Sequence, residues 1–441
     1  MLFHSPVFLF LFLPIVLVLY YYTSKYSKFA YEYILIISGI FFYAWWNIFL
    51  SPIIIVSIIS NVYFGNLIKN SSQKNFKKKI LIISIFFNIL FLAIFKYTDF
   101  IIQNINYILD SNINLLNLPF PLAMSFFTFQ TIAYLVDCYD GNIKKTSFTQ
   151  YSLFIIFFPQ LIAGPIVKYN HMMPQFNDEK NRLIDRQNLN LGLVLILIGL
   201  FKKIFLADNL AILVDSGFSN HQNLEFFGSW LTSLGFTFQI YFDFSGYIDM
   251  ATGIALLFNI RLQVNFNSPY KATSIISFWQ KWHITLANFL TNYIYFPWVK
   301  SLKKVNFLKI MIIIFFVFII AGIWHGPSWL YVIFGALHGL GLIINHIYRK
   351  LFEYKINKYL ACFLTFNYIN LTFVFFRSEN FDNSINIIKG MLGLNGFEFT
   401  NYFEGKIYIV AILLMAIVIS FCFKNTNYLI EKFKPAIEKE N

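Results

Sequence analysis

A 441-residue chain in which 58% of residues are hydrophobic and only 12% are charged is not an ordinary soluble domain, where about 25% carry a charge. Its 56 Phe and 27 Tyr exceed what a soluble core of this length can hide, and apolar runs of roughly 17–22 residues, enough to cross a bilayer, recur throughout. The net charge of +13 does not signal nucleic acid, because the basic residues cluster in short segments between apolar runs, where the positive-inside rule puts them.

The chain opens with MLFHSPVFLFLFLP, which has no Lys or Arg ahead of its apolar run and reads as a retained first span rather than a cleavable signal peptide. Eleven spans are predicted in all, at residues 6–22, 31–49, 52–68, 80–97, 119–136, 189–207, 228–258, 306–323, 328–348, 359–375 and 406–423. Lys25 and Lys28 follow the first, the run from Lys69 to Lys79 follows the third, and Lys144 and Lys145 follow the fifth. Residues 98–118 form a polar loop without Lys or Arg, and Lys424, Lys432, Lys434 and Lys439 close the chain. This alternation expects the N-terminus outside and the C-terminus in the cytoplasm.

Two apolar stretches break that parity. Residues 150–165 (QYSLFIIFFPQLIAGP) and 274–298 (SIISFWQKWHITLANFLTNYIYFPW) have basic residues on both flanks and read as re-entrant segments. Broken backbone at membrane depth is tolerated where protein or water satisfies the freed polar groups, so a solvated cavity is expected beside them. The fold class expected is therefore an all-α integral membrane protein, with residues 1–441 as one polytopic domain.

Polar residues at membrane depth are the candidates for chemistry. YFDFSGYIDM (241–250) carries Asp243, Ser245 and Asp249, and SFWQKWHITLANF carries Lys281 and His283 among tryptophans. GIWHGPSWLYVIFGALHGL carries His325 and His338. Arg377 and Lys281 are most simply snorkelling cations at span ends. His338, with Gly335 and Gly339 nearby, reads as an interhelical hydrogen-bonding residue, and His171 as a loop residue. His283 and His325 differ, since each falls at a break in the helical pattern with tryptophans close by. The three cysteines Cys138, Cys362 and Cys422 have no metal-ligand spacing, and no HExxH, GxSxG, P-loop or GxGxxG stretch occurs. A buried imidazole that takes a proton from a hydroxyl attacking a thioester is acyl-transfer chemistry. A transporter, which also uses broken helices and midplane polar residues, is the competing reading.

Several stretches in order resemble the membrane-bound O-acyltransferase family, most closely the bacterial branch that O-acetylates alginate and peptidoglycan. They are PLAMSFFTFQTIAYLVDCYDG (121–141), FFPQLIAGPIVKYNHMMPQF (157–176), GLFKKIFLADNLA (199–211), QIYFDFSGYIDMATGIALLF (239–258), NFNSPYKATSIISFWQKWHITLANFL (265–290) and the stretch around His325. The resemblance covers residues 85–380, with weaker patterning beyond. It implies a ring of tilted helices around a central funnel, with catalytic histidines at His325 and His283. Asp243, Ser245 and Tyr247 would support them, and Trp324 and Lys281, neighbours of the two histidines, complete the supporting set.

The same resemblance implies acetyl-CoA as the cytoplasmic thioester donor, with no bound cofactor and no metal. It also implies an envelope glycan acceptor, peptidoglycan or an exopolysaccharide such as alginate, and a bacterial inner-membrane location. The largest expected outer segment lies near 376–405 and the chain has no Gly-Asp-Ser stretch, so a separate extracytoplasmic acetyltransferase partner is expected to carry the acyl group onward. The branch that D-alanylates teichoic acids shares the histidines and is the alternative within the family. Where many relatives read Tyr-Ile-Pro-Leu-Gly-Gly, this chain reads YFPW at 295–298.

Overall fold

The structure, a computed structural model, describes residues 1–352, 356–397 and 407–432. Every regular element among them is helical. Among the described residues six helices are long and apolar enough to cross a membrane, and a seventh is added if Tyr408–Cys422 and Thr426–Lys432, bent by 47°, form one span. The chain is a multi-pass helical membrane protein. Helices stand at all eleven predicted places, but several differ from a plain crossing helix. Phe8–Ser24 and Ala30–Ala44 are apolar but short. Met124–Tyr139 has only 16 residues and is buried along most of its length, including Thr128, Gln130 and Thr131. The helix Phe226–Leu257 buries Ser229, Thr232, Ser233 and Thr237. The hydroxyls on such helices need protein partners, which suits them to the interior rather than to lipid.

The described residues form two compact units. The first holds Met1–Leu197 and Ile248–Gln263. Its helix Lys74–Leu109 runs 36 residues, about 54 Å, so most of the loop expected at 98–118 is helix instead. The polar residues Gln103, Asn104 and Asn106 are compatible with helix, and the turn comes only at Asp110, in the left-handed region at φ 47°. Asp99 then draws the loop back, accepting from the Leu116 and Asn117 amides at 2.8 and 3.0 Å.

The stretch expected to be re-entrant at 150–165 is broken as its prolines suggest. Ser147 and Gln150 form a capping box for the helix Phe148–Ile156, and the single turn Phe158–Leu161 precedes Gly164-Pro165. His171 is exposed, but on the helix Tyr169–Asn177 rather than in a loop. Met172, Met173 and Phe176 bury one side of that helix and supply the reason for it to form. The tail residues Lys434 and Lys439, and 398–405 of the expected outer segment, lie outside the described residues.

The second unit holds Ile198–Tyr247 and Val264–Lys432, and with them every predicted site residue. Its centre is a helical hairpin, Phe307–His325 followed by Trp329–Leu351. Asn306 and Ser328 cap the two helices by accepting from the Lys309 and Leu330 amides. The helices touch backbone to backbone where Gly322 meets Gly335: a Cβ on Gly322 would strike the Tyr331 carbonyl, and one on Gly335 the Phe318 carbonyl. Such close crossings are how small residues hold membrane helices together. Here the crossing sits one turn before His325. Gly326 leaves the helix in extended conformation, and Pro327 completes the break.

The second expected re-entrant stretch is likewise a chain of short pieces. Ser274 caps Ile275–Trp279, a turn follows, and Ile284–Phe289 passes into the π-helical segment Leu290–Tyr295. His283 sits in the turn with φ 44° and ψ 51°. That left-handed conformation is unfavourable for a side chain with a Cβ and persists only where the surroundings hold it.

Candidate active site

What holds His283 is Asn265. The Asn265 side-chain oxygen accepts from the Thr285 amide at 3.1 Å and the Thr285 hydroxyl at 2.9 Å, and lies 3.2 Å from His283 Nδ1. The Asn265 backbone carbonyl takes the Ile284 amide at 2.9 Å. A backbone amide can only donate, so the atom facing Thr285 must be the amide oxygen and not the nitrogen. An oxygen there obliges His283 to donate from Nδ1. The neutral ring then carries its lone pair on Nε2, which is buried and has no hydrogen-bond partner.

His338 is the contrast. Its Nδ1 accepts from the Trp279 indole at 3.2 Å, and its Nε2 lies 3.1 Å from Thr372 Oγ1. The Thr372 hydroxyl gives its proton to the Ile369 carbonyl at 2.8 Å, so His338 Nε2 must donate to it. Both ring nitrogens are occupied, and His338 ties the helix Trp329–Leu351 to Ile275–Trp279 and to Lys358–Arg377, the interhelical role expected of it. Replacing His338 with Ala leaves the buried Trp279 indole N–H unpaired, takes from the Thr372 oxygen the proton it accepts and opens a cavity, which should cost about 2–4 kcal/mol of stability. Turnover per folded molecule should stay within a few-fold of wild type. Thermal unfolding in detergent, run beside an activity assay at matched folded protein, checks both.

His325 ends its helix half-buried and is edged by aromatic rings, with Phe376 at 5.1 Å, Phe334 at 5.7 Å and Tyr331 at 6.4 Å between centroids. Trp324 packs near both histidines, 5.0 Å from His325 and 6.2 Å from His283. Phe244 meets His283 edge to face at 4.9 Å.

The predicted supporting residues divide. Trp324 lies beside both histidines. Ser245 shares with Tyr241 and Phe244 the helix face that packs on Phe266, Trp282 and His283, and its buried hydroxyl makes no hydrogen bond. Tyr247 is half-buried one turn beyond Phe244. Asp243 turns elsewhere: it pairs with Lys203 at 2.6 Å, and Lys203 also holds Asp208 at 2.8 Å. Lys281 contributes its backbone carbonyl to the Asn267 amide at 2.9 Å. Arg377, expected to snorkel, binds Asp215 at 2.7 Å and lies over the Phe218 ring.

Asn265 and Thr285 are the residues that sequence reasoning missed. Asn265 lies inside a quoted stretch, but its role depends on a partner 18 positions away across a turn, which no periodicity reveals. Among the described residues no group of three or more His, Cys, Asp or Glu side chains could hold a metal ion. The pair of imidazoles around a tryptophan, one with its tautomer fixed and a lone pair to offer, can accept a proton from a hydroxyl or thiol.

Residues 40–381 match the sequence model of the membrane-bound O-acyltransferase family, beginning well upstream of residue 85. The chain is 40% identical to a peptidoglycan O-acetyltransferase of Helicobacter pylori, over 97% of this chain and 90% of that protein. It is 32% identical to a probable alginate O-acetylase of Pseudomonas aeruginosa, over 90% of this chain and 76% of that one. Similarity to a teichoic acid D-alanyltransferase of Bacillus subtilis is lower, 26% identity over 59% of this chain and 69% of the relative.

Proposed function

Since the chain belongs to the membrane-bound O-acyltransferase family, we propose that it takes an acetyl group from a cytoplasmic thioester, acetyl-CoA, and delivers it for O-acetylation of an envelope glycan. Peptidoglycan is the first candidate, with an exopolysaccharide of the alginate kind second. The observation that carries this reading is the His283–Trp324–His325 arrangement, with Nε2 of His283 left as a proton acceptor. His325 takes the proton of the acceptor hydroxyl as its oxygen attacks the thioester carbonyl. The C–O bond forms, the C–S bond breaks, and the proton returns from His325 to the departing thiolate. His283, its Nδ1 proton held by Asn265, offers a second acceptor for the hydroxyl or thiol. Ser245 and Trp324 line the site; Asp243, Tyr247 and Lys281 act at most through their neighbours.

Acetyl is favoured over D-alanyl because the acetylating relatives match nearly the whole chain, whereas the D-alanylating one matches 59% of it. The broken stretches at 150–165 and 274–298 enter and leave on the cytoplasmic side of a bacterial inner membrane, within a ring of eleven spans around a funnel. The N-terminus is outside and the C-terminus inside. The whole chain acts as one catalytic domain. The acetyl group leaves through a separate extracytoplasmic transferase, because a polymer far from the membrane needs a carrier to reach it.

The test compares purified peptidoglycan and, separately, other envelope polysaccharide from cells with and without the chain. Acetate released by mild base should fall in one fraction when the chain is removed. Loss of ester-linked D-alanine instead would transfer the reading to the alternative branch. Unchanged acyl esters in every fraction would revive the transporter.

A further inference from the structure

Four aromatic rings edge His325, and they differ in what fixes them. Trp324 is its neighbour on the same helix, and Tyr331 and Phe334 stand on the second helix of the hairpin, which the Gly322–Gly335 crossing locks to the first. Phe376 alone among the four comes from a third helix, Lys358–Arg377, and lies in its last turn. It packs on Tyr331 and Phe334 as well as on the imidazole, at 5.1 and 5.0 Å between centroids. Further back along its helix, the bond from His338 to Thr372 and the buried Phe373 ring fix the position. A last turn frays unless something holds it.

What holds this one is Arg377, the final residue of the helix. Its guanidinium donates to Asp215 at 2.7 Å and lies 5.2 Å from the centre of the Phe218 ring. Asp215 and Phe218 are three residues apart on Asp208–Ser219 and therefore share one face, so a carboxylate and a ring grip the cation together. Phe218 also meets Phe236 at 6.1 Å, and Phe236 stacks on Phe376 at 6.4 Å with 27° between the ring planes. The helix Asp208–Ser219 is itself set hard against Phe226–Leu257, where a Cβ on Gly217 would strike the Thr232 side chain. A cation that merely snorkelled to the headgroups would need none of these partners.

We propose that the Asp215–Arg377 pair is a clasp that holds Phe376 against His325 and thereby sets how freely a small molecule reaches that imidazole. Arg377 and Asp215 are positioning residues and act through Phe376. The pair is partly open to solvent, with 28% of the Arg377 side chain and 62% of that of Asp215 exposed, and such pairs are weak. The clasp can therefore open, and Phe376 can shift, while the hairpin stays folded. The clasp does not rest on the acyl-transfer reading; that the molecule it admits is the acceptor hydroxyl does.

The experiment treats the full chain in detergent with diethyl pyrocarbonate near neutral pH and follows each histidine by peptide mass spectrometry. No acyl donor or acceptor is present, so the result is independent of whether the chain transfers acetyl groups. His171, which is exposed, reports the reagent, and His338, buried with both ring nitrogens bonded, reports the fold. Asp215→Asn and Arg377→Gln should each speed modification of His325 on the order of threefold to tenfold, the range set by an exposed ion pair and a cation–ring contact. His171 and His338 should keep their wild-type rates. The double variant should match Arg377→Gln, because both changes open the same clasp. Arg377→Lys, which keeps the cation, should recover most of the protection. Equal His325 rates in wild type and both single variants would overturn the proposal. So would a rise at His325 accompanied by an equal rise at His338 in both, since the pair would then support the fold at large rather than Phe376. Should Arg377→Gln fail to fold, Asp215→Asn, altered at an exposed side chain, decides the matter by itself.

Discussion

Substitution of His325 by Ala should lower acyl transfer by about 10²–10⁴-fold, the contribution typical of a positioned general base. The chain should still fold and insert. The His325 side chain is half-buried at the last residue of its helix, and the crossing that anchors the helix is made by Gly322 and Gly335 instead. What truncation removes is a set of edge contacts to Phe376, Phe334 and Trp324, where an aromatic pair contributes about 0.5–1.5 kcal/mol beyond its buried area. The measurement is ester-linked acetate per unit of membrane-inserted protein. Full activity in the variant would remove His325 from the mechanism. Loss of activity that merely tracks lost protein would leave it a packing residue.

Asn265 gives the second large effect. Replacing it with Leu removes the acceptor of three donors, the Nδ1–H of His283 and both Thr285 groups, and frees the imidazole to take the other tautomer. With Nε2 protonated, His283 offers its lone pair to the wrong side. A fall in kcat on the order of 10²-fold is expected, with KM for the thioester little changed, because residues that orient a catalytic imidazole commonly carry effects of this size or larger. Asn265→Asp keeps an acceptor oxygen at the same place and should recover most of the rate. A purely structural role predicts something different: both variants would lose folded protein together, and surviving molecules would turn over normally.

The composition by itself determined that this is a multi-pass helical membrane protein, because so apolar a chain can bury its surface nowhere else. It also placed the breaks. Pro159 and the pairs Gly164-Pro165 and Gly326-Pro327 interrupt helices for local reasons that act wherever the chain folds. The two histidines stood out because imidazoles amid tryptophans at such breaks are costly to keep without a use.

Other features were settled by partners far away in the chain. Asp243 and Ser245 are two residues apart in one motif, yet a helix turns them about 200° from one another, so one meets Lys203 and the other faces the His283 side. His338 and His283 are equally apolar in their surroundings. Only the tertiary hydrogen bonds separate them, since Trp279 and Thr372 occupy both nitrogens of one while Asn265 occupies a single nitrogen of the other. The 36-residue helix from Lys74 hid its length because Gln and Asn fit both helix and loop, and the loop's return was fixed by Asp99 reaching amides 17 and 18 positions on. Patterns of hydrophobicity report what each residue prefers around it. Which nitrogen holds a proton depends on which atom lies 3 Å away, and that is decided only when the chain has folded.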